Sequence, residues 1–225
     1  MNSQTFKIPP YVSELYPSYF SVFRSKIEMH KAYACLTTFF YAPLLHREVV
    51  DMLAYQEKVL QIGVVGADFE SKILNQIGED GDLTVMDLSD ARLSLCERQT
   101  GKRKNLHFER ADARLPLDKK YGTIVAPFVL HEMPDESKKA VIKNALNALN
   151  KNGALIVLDY HAPAKVNILR FLVRTYNRLH EPFAESLAHY KIEAFLPNAS
   201  KYTVERALFC AGLYQITAIK KKAAE

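Results

Sequence analysis

The 225-residue sequence has few cysteines, no long apolar run and no strong excess of one charge. Cys35, Cys96 and Cys210 are odd in number and far apart, which predicts free buried thiols in a reducing compartment and argues against a disulfide framework. No signal peptide precedes Tyr11, and no apolar run reaches the length of a membrane span. We therefore predict a cytoplasmic protein that could also lie peripherally on the inner face of a membrane.

Basic residues are only slightly in excess, with 30 Lys and Arg against 25 Asp and Glu. A nucleic-acid-binding protein clusters such charges with aromatic residues, whereas the only basic run here is Lys220-Lys221-Lys222. We predict no nucleic-acid partner, and we interpret this run as a solvated strand end that could also meet an anionic lipid surface. The sequence leaves the oligomeric state open.

The most informative stretch is an apolar run, residues 59–65, that ends in the small residues Gly66 and Ala67. The run is rich in β-branched residues and lacks alternation, which predicts a buried parallel strand. Phe69, Ile73 and Ile77 then follow at helical spacing from Asp68. A strand, a glycine turn and a helix N-terminus form the nucleotide-binding corner of an open α/β sheet.

Two acidic residues further along the chain, one at the end of a predicted strand and one after another strand, strengthen this interpretation. Asp87 closes a second strand twenty-four positions after Gly63, where a carboxylate can accept hydrogen bonds from both hydroxyls of a ribose. Asp112 follows a third short strand and could accept from an adenine amino group, while Ala113 offers a backbone N–H. The order of these cues predicts a nucleoside site.

The remaining pattern predicts an α/β fold, a doubly wound and mostly parallel seven-stranded sheet that ends in an antiparallel hairpin. A fourth strand spans residues 121–128, and a helix opening at Pro134 turns at Asn152-Gly153 into a fifth strand, 154–159. We divide the chain into a helical cap, residues 1–57, and a nucleoside-binding domain, residues 58–225. A helical insert, residues 161–198, follows the fifth strand, and the hairpin closes around Ala211-Gly212. The insert carries polar residues, namely Arg170, Arg174, Arg178, His180, Glu181 and His189.

The cap is unusually aromatic, with charges interspersed as in amphipathic helices. Its rings could pack on the edge of the sheet or cover a planar hydrophobic substrate. We weigh the two roles evenly for Tyr11, Tyr16 and Tyr19, which are candidate substrate-binding residues. Phe39 and Phe40 are predicted to lie in the core.

Candidate catalytic residues follow the fourth and fifth strands. His131 and Glu132 come after the fourth strand, and Asp159 and His161 come at the end of the fifth. Two histidines and two carboxylates at the carboxyl end of a sheet could act as general acid or base, or bind a divalent ion. The alternative is structural, because polar residues at such junctions often cap helices or orient backbone amides.

The order of these features resembles the class I S-adenosylmethionine (SAM)-dependent methyltransferases, with Gln61, Val65 and Ala67 in place of an acid and two glycines. The antiparallel terminal hairpin also resembles the hairpin that ends the sheet in that family. The resemblance implies a Rossmann-like methyltransferase fold that binds SAM through nine residues, namely Gln61, Gly63, Gly66, Asp68, Asp87, Leu88, Asp112, Ala113 and Phe128.

A narrower resemblance rests on Leu130-His131-Glu132 with Pro134, on Asp159-Tyr160-His161 and on Glu181-Pro182-Phe183. These motifs look like the rhodoquinone-biosynthesis (RquA-type) branch. That resemblance implies SAM used as an amino donor that replaces a methoxy group on ubiquinone, assisted by manganese. The metal ligands would be His131, Glu132, Asp159 and His161.

Two other functions stay open at this point. One is an ordinary O- or C-methyltransferase of a small hydrophobic substrate, in which His131 or His161 acts as the base. The other is a catalytically silent SAM-binding protein.

Overall fold

The structure, a computed structural model, describes residues 7–161 and 182–222. Its seven strands form one sheet in the order β3-β2-β1-β4-β5-β7-β6. The pairs β2–β3 and β4–β5 are parallel, whereas β7 runs antiparallel to both β5 and β6. This confirms the predicted α/β fold with its antiparallel terminal hairpin. The strands are β1 (Lys58–Ile62), β2 (Asp82–Asp87), β3 (Leu106–Arg110), β4 (Tyr121–Pro127), β5 (Leu149–Tyr160), β6 (Tyr202–Phe209) and β7 (Tyr214–Lys221).

A group of N-terminal helices precedes the first strand, and further helices alternate with the parallel strands. The α-helices are α1 (Pro10–Leu15), α2 (Val22–Glu28), α3 (Lys31–Thr37), α4 (Ala42–Val50), α5 (Ala67–Ile77), α6 (Asp90–Thr100), α7 (Asp135–Asn147) and α8 (Ala184–His189). Short 3₁₀ helices cover Pro17–Phe20, Leu130–Glu132, Ile192–Phe195 and Ala199–Lys201. No helix within the described residues is both long and apolar enough to cross a membrane.

Helices α5 and α6 begin and end where local chemistry predicts. Phe69, Ile73 and Ile77 form the buried face of α5. The Ser89 hydroxyl accepts the backbone N–H of Arg92 at the start of α6, and Gly101 with a φ of 75° ends that helix. Capping and apolar spacing are local properties, so the sequence was sufficient to place both helices.

The described residues form two compact units. The first unit contains the described residues of Met1–Gln56 and Gln61–Asp112. The second unit contains Glu57–Leu60 and the described residues of Ala113–Glu225. In the first unit, His46 packs against the Phe69 ring with centroids 4.7 Å apart. Burial lowers the pKa of His46 to about 4, so this imidazole is neutral and structural.

The predicted turn at Asn152-Gly153 is wrong. Helix α7 ends at Asn147, and β5 already begins at Leu149, which pairs with Tyr121. The register shifts between this pair and the next, Thr123 with Ala154. Asn152-Gly153 therefore belongs to an irregular start of the strand and does not form a separate turn.

The N-terminal residues are helical as predicted, but Phe40 is not in the core. Its side chain is 76% exposed, whereas Phe39 is half-buried. Both residues have positive φ at the end of α3, and the Phe40 N–H donates to Cys35 O. This turn directs the Phe40 ring outward, and apolar spacing alone did not reveal it.

Of the predicted insert, residues 162–181 lie outside the described residues, and so do Arg170, Arg174, Arg178, His180 and Glu181. The described remainder forms α8 and the 3₁₀ helix Ile192–Phe195. Among the cysteines, which form no disulfide bond, only Cys96 is fully buried.

Lys138 is a fully buried lysine on α7. Its Nζ carries three N–H donors and lies within hydrogen-bond distance of four acceptors, namely Met133 O (2.8 Å), Asp135 Oδ1 (3.0 Å), Phe183 O (2.9 Å) and Ser186 Oγ (2.7 Å). Burial lowers the pKa of Lys138, and Asp135 opposes that shift. The side chain thereby fastens the segment that leads into α8 to the start of α7.

We expect Lys138→Met to lower the free energy of unfolding by roughly 3 kcal/mol, because it leaves buried acceptors without a donor. Urea titration followed by circular dichroism measures the change. Lys139→Met is the matched control, since Lys139 is exposed and pairs only with Glu136 in the contacts described. Equal midpoints for the two variants would contradict this role of Lys138.

Candidate functional site

The turn after β1 depends on two glycines. Gly63 has a φ of 89°, and its N–H donates to Met86 O at 2.7 Å. Gly66 has a φ of 155°, a conformation open essentially to glycine alone, and an added Cβ would lie 3.0 Å from Met29 O. The turn therefore keeps its backbone close to neighbouring backbone, as the nucleotide-binding corner requires.

A buried carboxylate that sequence reasoning missed holds this turn. Glu70 is fully buried on the first turns of α5 and accepts hydrogen bonds from the N–H groups of Val65 and Gly66. Burial raises the pKa of Glu70, and the hydrogen bonds from Gln61 and the backbone oppose that shift. The available signal was an acid four residues after Gly66, in the first turn of a helix.

Gln61, a predicted cofactor-binding residue, supports the same carboxylate. Its Nε2 donates to Glu70 Oε1 (2.7 Å) and to Gly63 O (2.8 Å). Its Oε1 is buried and has no hydrogen-bond partner within the described residues. Gln61 therefore retains an unused acceptor beside the glycine turn.

Asp87, the predicted ribose acceptor, ends β2 with its carboxylate buried. Oδ2 accepts the N–H of Val64 at 2.9 Å, and Oδ1 accepts the N–H of Ser89 at 2.8 Å. These bonds fix the carboxylate between the glycine turn and the start of α6. The second strand thus places Asp87 beside the end of the first strand, as the spacing predicted.

Tyr19 also binds Asp87, with its hydroxyl donating to Oδ1 at 3.0 Å. The Arg92 guanidinium lies 4.9 Å from the centre of the Tyr19 ring, forms an ion pair with Glu28 and donates to Val64 O. Residues of the N-terminal helices therefore cover this acid. Tyr19 joins the predicted nucleoside corner, whereas Tyr11 and Tyr16 are half-buried in and directly after α1.

Two other predicted cofactor residues have local partners. Asp68 forms an ion pair with Lys72, one turn along α5, at 2.8 Å. Leu88 is half-buried, and its carbonyl accepts from Arg110 Nε. Neither contact tests a role in ligand binding.

Asp112 and Ala113 are both buried directly after β3. The Ala113 carbonyl accepts from Asn144 Nδ2 at 3.3 Å, within the second unit. Their proposed role toward adenine stays a prediction.

In the second unit, His131 and Asp159 form a buried pair. His131 Nδ1 lies 2.8 Å from Asp159 Oδ1, and Oδ2 accepts the N–H groups of Leu130 and His131. The N–H of Tyr160 also donates to Asp159 Oδ1. Because every donor converges on Asp159, the carboxylate orients the imidazole with Nδ1–H toward itself.

Aromatic rings surround His131. Its ring lies 4.7 Å from that of Tyr160 and 6.4 Å from that of Phe128, both edge-to-face. Tyr214 packs against both aromatic rings, and burial raises the pKa of its phenol. Sequence reasoning missed Tyr160 and Tyr214, and it named Phe128, which has a φ of 51°, only as a cofactor residue.

The four predicted metal ligands are not arranged as a metal site. Asp159 is engaged with His131 and backbone amides, Glu132 is half-buried in a 3₁₀ helix, and His161 Nδ1 lies 3.2 Å from Gly212 O. Within residues 7–161 and 182–222, no three His, Cys, Asp or Glu side chains are grouped to hold an ion. The manganese prediction thus gains no support from the described residues.

Comparison with known proteins adds the following. Residues 59–153 match a family described as "Methyltransferase domain". The ubiquinone/menaquinone biosynthesis C-methyltransferase UbiE of Shewanella piezotolerans is 26% identical over 71% of this chain and 67% of that protein. UbiE of Shewanella halifaxensis is 31% identical over 47% of this chain and 43% of that protein, so the chain spans less than half of this relative.

Solved structures show the same fold at low identity. N-methyltransferase NodS from Bradyrhizobium japonicum, in complex with S-adenosyl-L-homocysteine, aligns with a TM-score of 0.60 at 15% identity, over 92% of this chain and 99% of NodS. The pyocyanin biosynthetic protein PhzM aligns with a TM-score of 0.62 at 12% identity, over 88% of this chain and 61% of PhzM. Together with the sheet order, these matches show that the chain has a methyltransferase-type fold and that residues 59–153 resemble a methyltransferase domain, which supports a SAM-dependent transferase.

Proposed function

We propose that the protein transfers a methyl group from SAM to a carbon or oxygen of a hydrophobic quinol or phenol ring. The observation that carries the proposal is the His131–Asp159 pair, set among the rings of Phe128, Tyr160 and Tyr214. Aromatic rings make favourable contacts with a flat aromatic substrate, and the nucleophilic atom of such a substrate needs a base. The UbiE relatives, named as quinone-biosynthesis C-methyltransferases, support a quinone-type ring.

The residues of the first unit suit SAM. Gly63 and Gly66 give the turn its positive φ values, and Asp87 supplies a carboxylate for the ribose hydroxyls. The unpartnered Gln61 Oε1 is an acceptor for an ammonium group. Asp112 and Ala113 are proposed to meet the adenine, and Asp68, Leu88 and Phe128 are further candidate contacts.

The Tyr19 hydroxyl occupies one acceptor position of Asp87. A carboxylate has about four such positions, and Val64, Ser89 and Tyr19 use three of them. Tyr19 must therefore release Asp87 before both ribose hydroxyls can bind it.

His131 is the proposed general base. Since Asp159 holds the proton on Nδ1, Nε2 carries the lone pair that can accept a proton. When bound, SAM supplies an electrophilic methyl group whose bond to sulfur breaks as the ring atom forms a bond to carbon. The proton lost by the ring hydroxyl or ring carbon passes to Nε2, and Asp159 stabilises the resulting imidazolium.

The experiment is incubation of the protein with SAM and a short-chain demethylated menaquinol, followed by mass spectrometry. Methyl transfer adds one CH₂ to the ring and releases S-adenosylhomocysteine. A parallel reaction with SAM, a manganese salt and ubiquinone tests the amination that the rhodoquinone resemblance implies, because the product would carry an amino group in place of a methoxy group.

Calorimetry with SAM and S-adenosylhomocysteine completes the test. Binding without turnover of either ring would favour the silent SAM-binding protein, and an aminated product would replace methylation as the reaction. Binding of neither nucleoside would contradict the proposal altogether.

A further inference from the structure

The N-terminal helices expose an unusual number of large apolar side chains. Eleven such side chains are exposed in the described residues, and six of them lie between residues 15 and 40. We call these six the N-terminal apolar set, which consists of Leu15, Val22, Phe23, Ile27, Leu36 and Phe40. A concentration of this kind marks an interaction surface.

Helix α2 exposes all three of its large apolar side chains. Ser25 and Met29 face inward and are buried, whereas Val22, Phe23 and Ile27 face outward. Phe23 is 74% exposed, although it is among the most apolar residues of the helix. The exposed residues of α2 therefore combine three large apolar side chains with Arg24 and Lys26, which favours contact with a medium that is apolar inside and anionic at its surface.

Helix α2 is also held firmly from its inner side. Glu28 pairs with Arg92 of α6 at 3.0 Å, and the Met29 carbonyl lies against Gly66. The exposed face is thus presented on a helix that is anchored to the rest of the unit.

Backbone geometry exposes Phe40 in a similar way. Phe39 and Phe40 have φ values of 50° and 65°, which bulky side chains rarely adopt. Strained backbone of this kind is typical of functional positions. Here it directs one phenyl ring into solvent.

Basic residues outnumber acidic residues in this part of the sequence. Residues 7–40 contain four basic residues, Lys7, Arg24, Lys26 and Lys31, and two acidic ones, Glu14 and Glu28. Glu28 is engaged by Arg24 and Arg92, and exposed Lys26 lies on the same side of α2 as Phe23 and Ile27. Apolar rings with a lysine that can reach outward match an anionic bilayer, whereas like charge opposes pairing with a second copy.

We propose that the N-terminal apolar set docks the protein on the surface of an anionic lipid bilayer. Its purpose rests on the proposed function, because a long-chain quinone resides in the bilayer, but the docking itself is tested without turnover. The phenyl rings enter the acyl boundary, and the basic side chains meet the headgroups.

Vesicle flotation of the full chain tests the proposal, with phosphatidylcholine vesicles prepared with and without phosphatidylglycerol. The protein should float with the anionic vesicles, and high salt should weaken that binding. The double variant Phe23→Ser, Phe40→Ser should lower partitioning at least roughly tenfold. Lys26→Glu should lower it roughly tenfold on the anionic vesicles only.

Leu208→Ser is the matched control, because Leu208 is also apolar and is 51% exposed but lies on β6. It should float like the unaltered protein. Failure of the unaltered protein to float, or unchanged flotation of the double variant, would overturn the proposal. The proposal would also be overturned if the protein formed a concentration-dependent dimer that the double variant does not form. The N-terminal apolar set would then mediate contacts between copies of the chain.

Turnover of the water-soluble short-chain quinol, measured without vesicles, separates this proposal from the proposed function. The double variant should retain that turnover. Flotation without turnover would count against the proposed function alone, and turnover without flotation would count against the docking alone.

Discussion

Replacement of His131 by alanine should lower kcat for ring methylation by roughly 10³-fold while leaving SAM affinity unchanged. The reason is that His131 is the imidazole oriented by a buried carboxylate, so its loss removes the proton acceptor and leaves the nucleoside corner intact. Steady-state kinetics with the short-chain quinol and calorimetry with SAM measure the two effects.

Two histidine variants serve as comparisons. His189→Ala removes an exposed imidazole from α8 and should leave kcat unchanged. His161→Ala tests the other predicted catalytic histidine, whose Nδ1 lies near Gly212 O. Full turnover by His131→Ala would return His131 to a structural role at the start of its 3₁₀ helix.

Replacement of Asp87 by alanine should raise the Kd for SAM by about 100-fold, because two hydrogen bonds from the ribose to a charged acceptor are lost. Calorimetry measures the affinity, and thermal unfolding shows whether the loss of the bonds to Val64 and Ser89 also destabilises the fold. Asp90→Ala is the control, since Asp90 is an exposed acid three residues away that pairs with Arg110. Unaltered affinity in Asp87→Ala would show that the nucleoside binds elsewhere.

Replacement of Tyr19 by phenylalanine should lower the Kd for SAM, whereas replacement of Asp87 should raise it. The phenol hydroxyl occupies an acceptor position of Asp87 that a ribose hydroxyl needs, so its removal should tighten SAM binding by about threefold to tenfold. A weaker affinity, measured by the same calorimetry, would show that Tyr19 positions Asp87 for the nucleoside and does not compete with it.

The structure gives a physical reason for the departure of the first strand from the acid and glycine pattern of methyltransferases. Gln61 stands in place of the acid in the methyltransferase pattern that the chain resembles, and a carboxylate nevertheless lies at the turn, supplied by Glu70 of α5. Gly122 in β4 leaves room for the Glu57 carboxylate, which would lie 2.6 Å from an added Cβ. The first compensation joins a strand residue to a helix residue, and the second joins residues 57 and 122, which are remote in the sequence.

The sequence by itself determined the fold, the helix caps at Ser89 and Gly101, the terminal hairpin, the position of Asp87 at the end of β2 and the position of His131 after β4. These follow from apolar periodicity, turn chemistry and the rule that ligands lie at the carboxyl ends of parallel strands, all of which are local or topological. Only the tertiary structure decided which partners meet. It joined Asp159 to His131 in preference to a metal site, Tyr19 to Asp87 and Glu70 to the glycine turn, and it turned Phe40 outward. Hydrogen bonds between distant residues and the direction of a side chain at a strained backbone are set by packing, and no spacing along the chain encodes them.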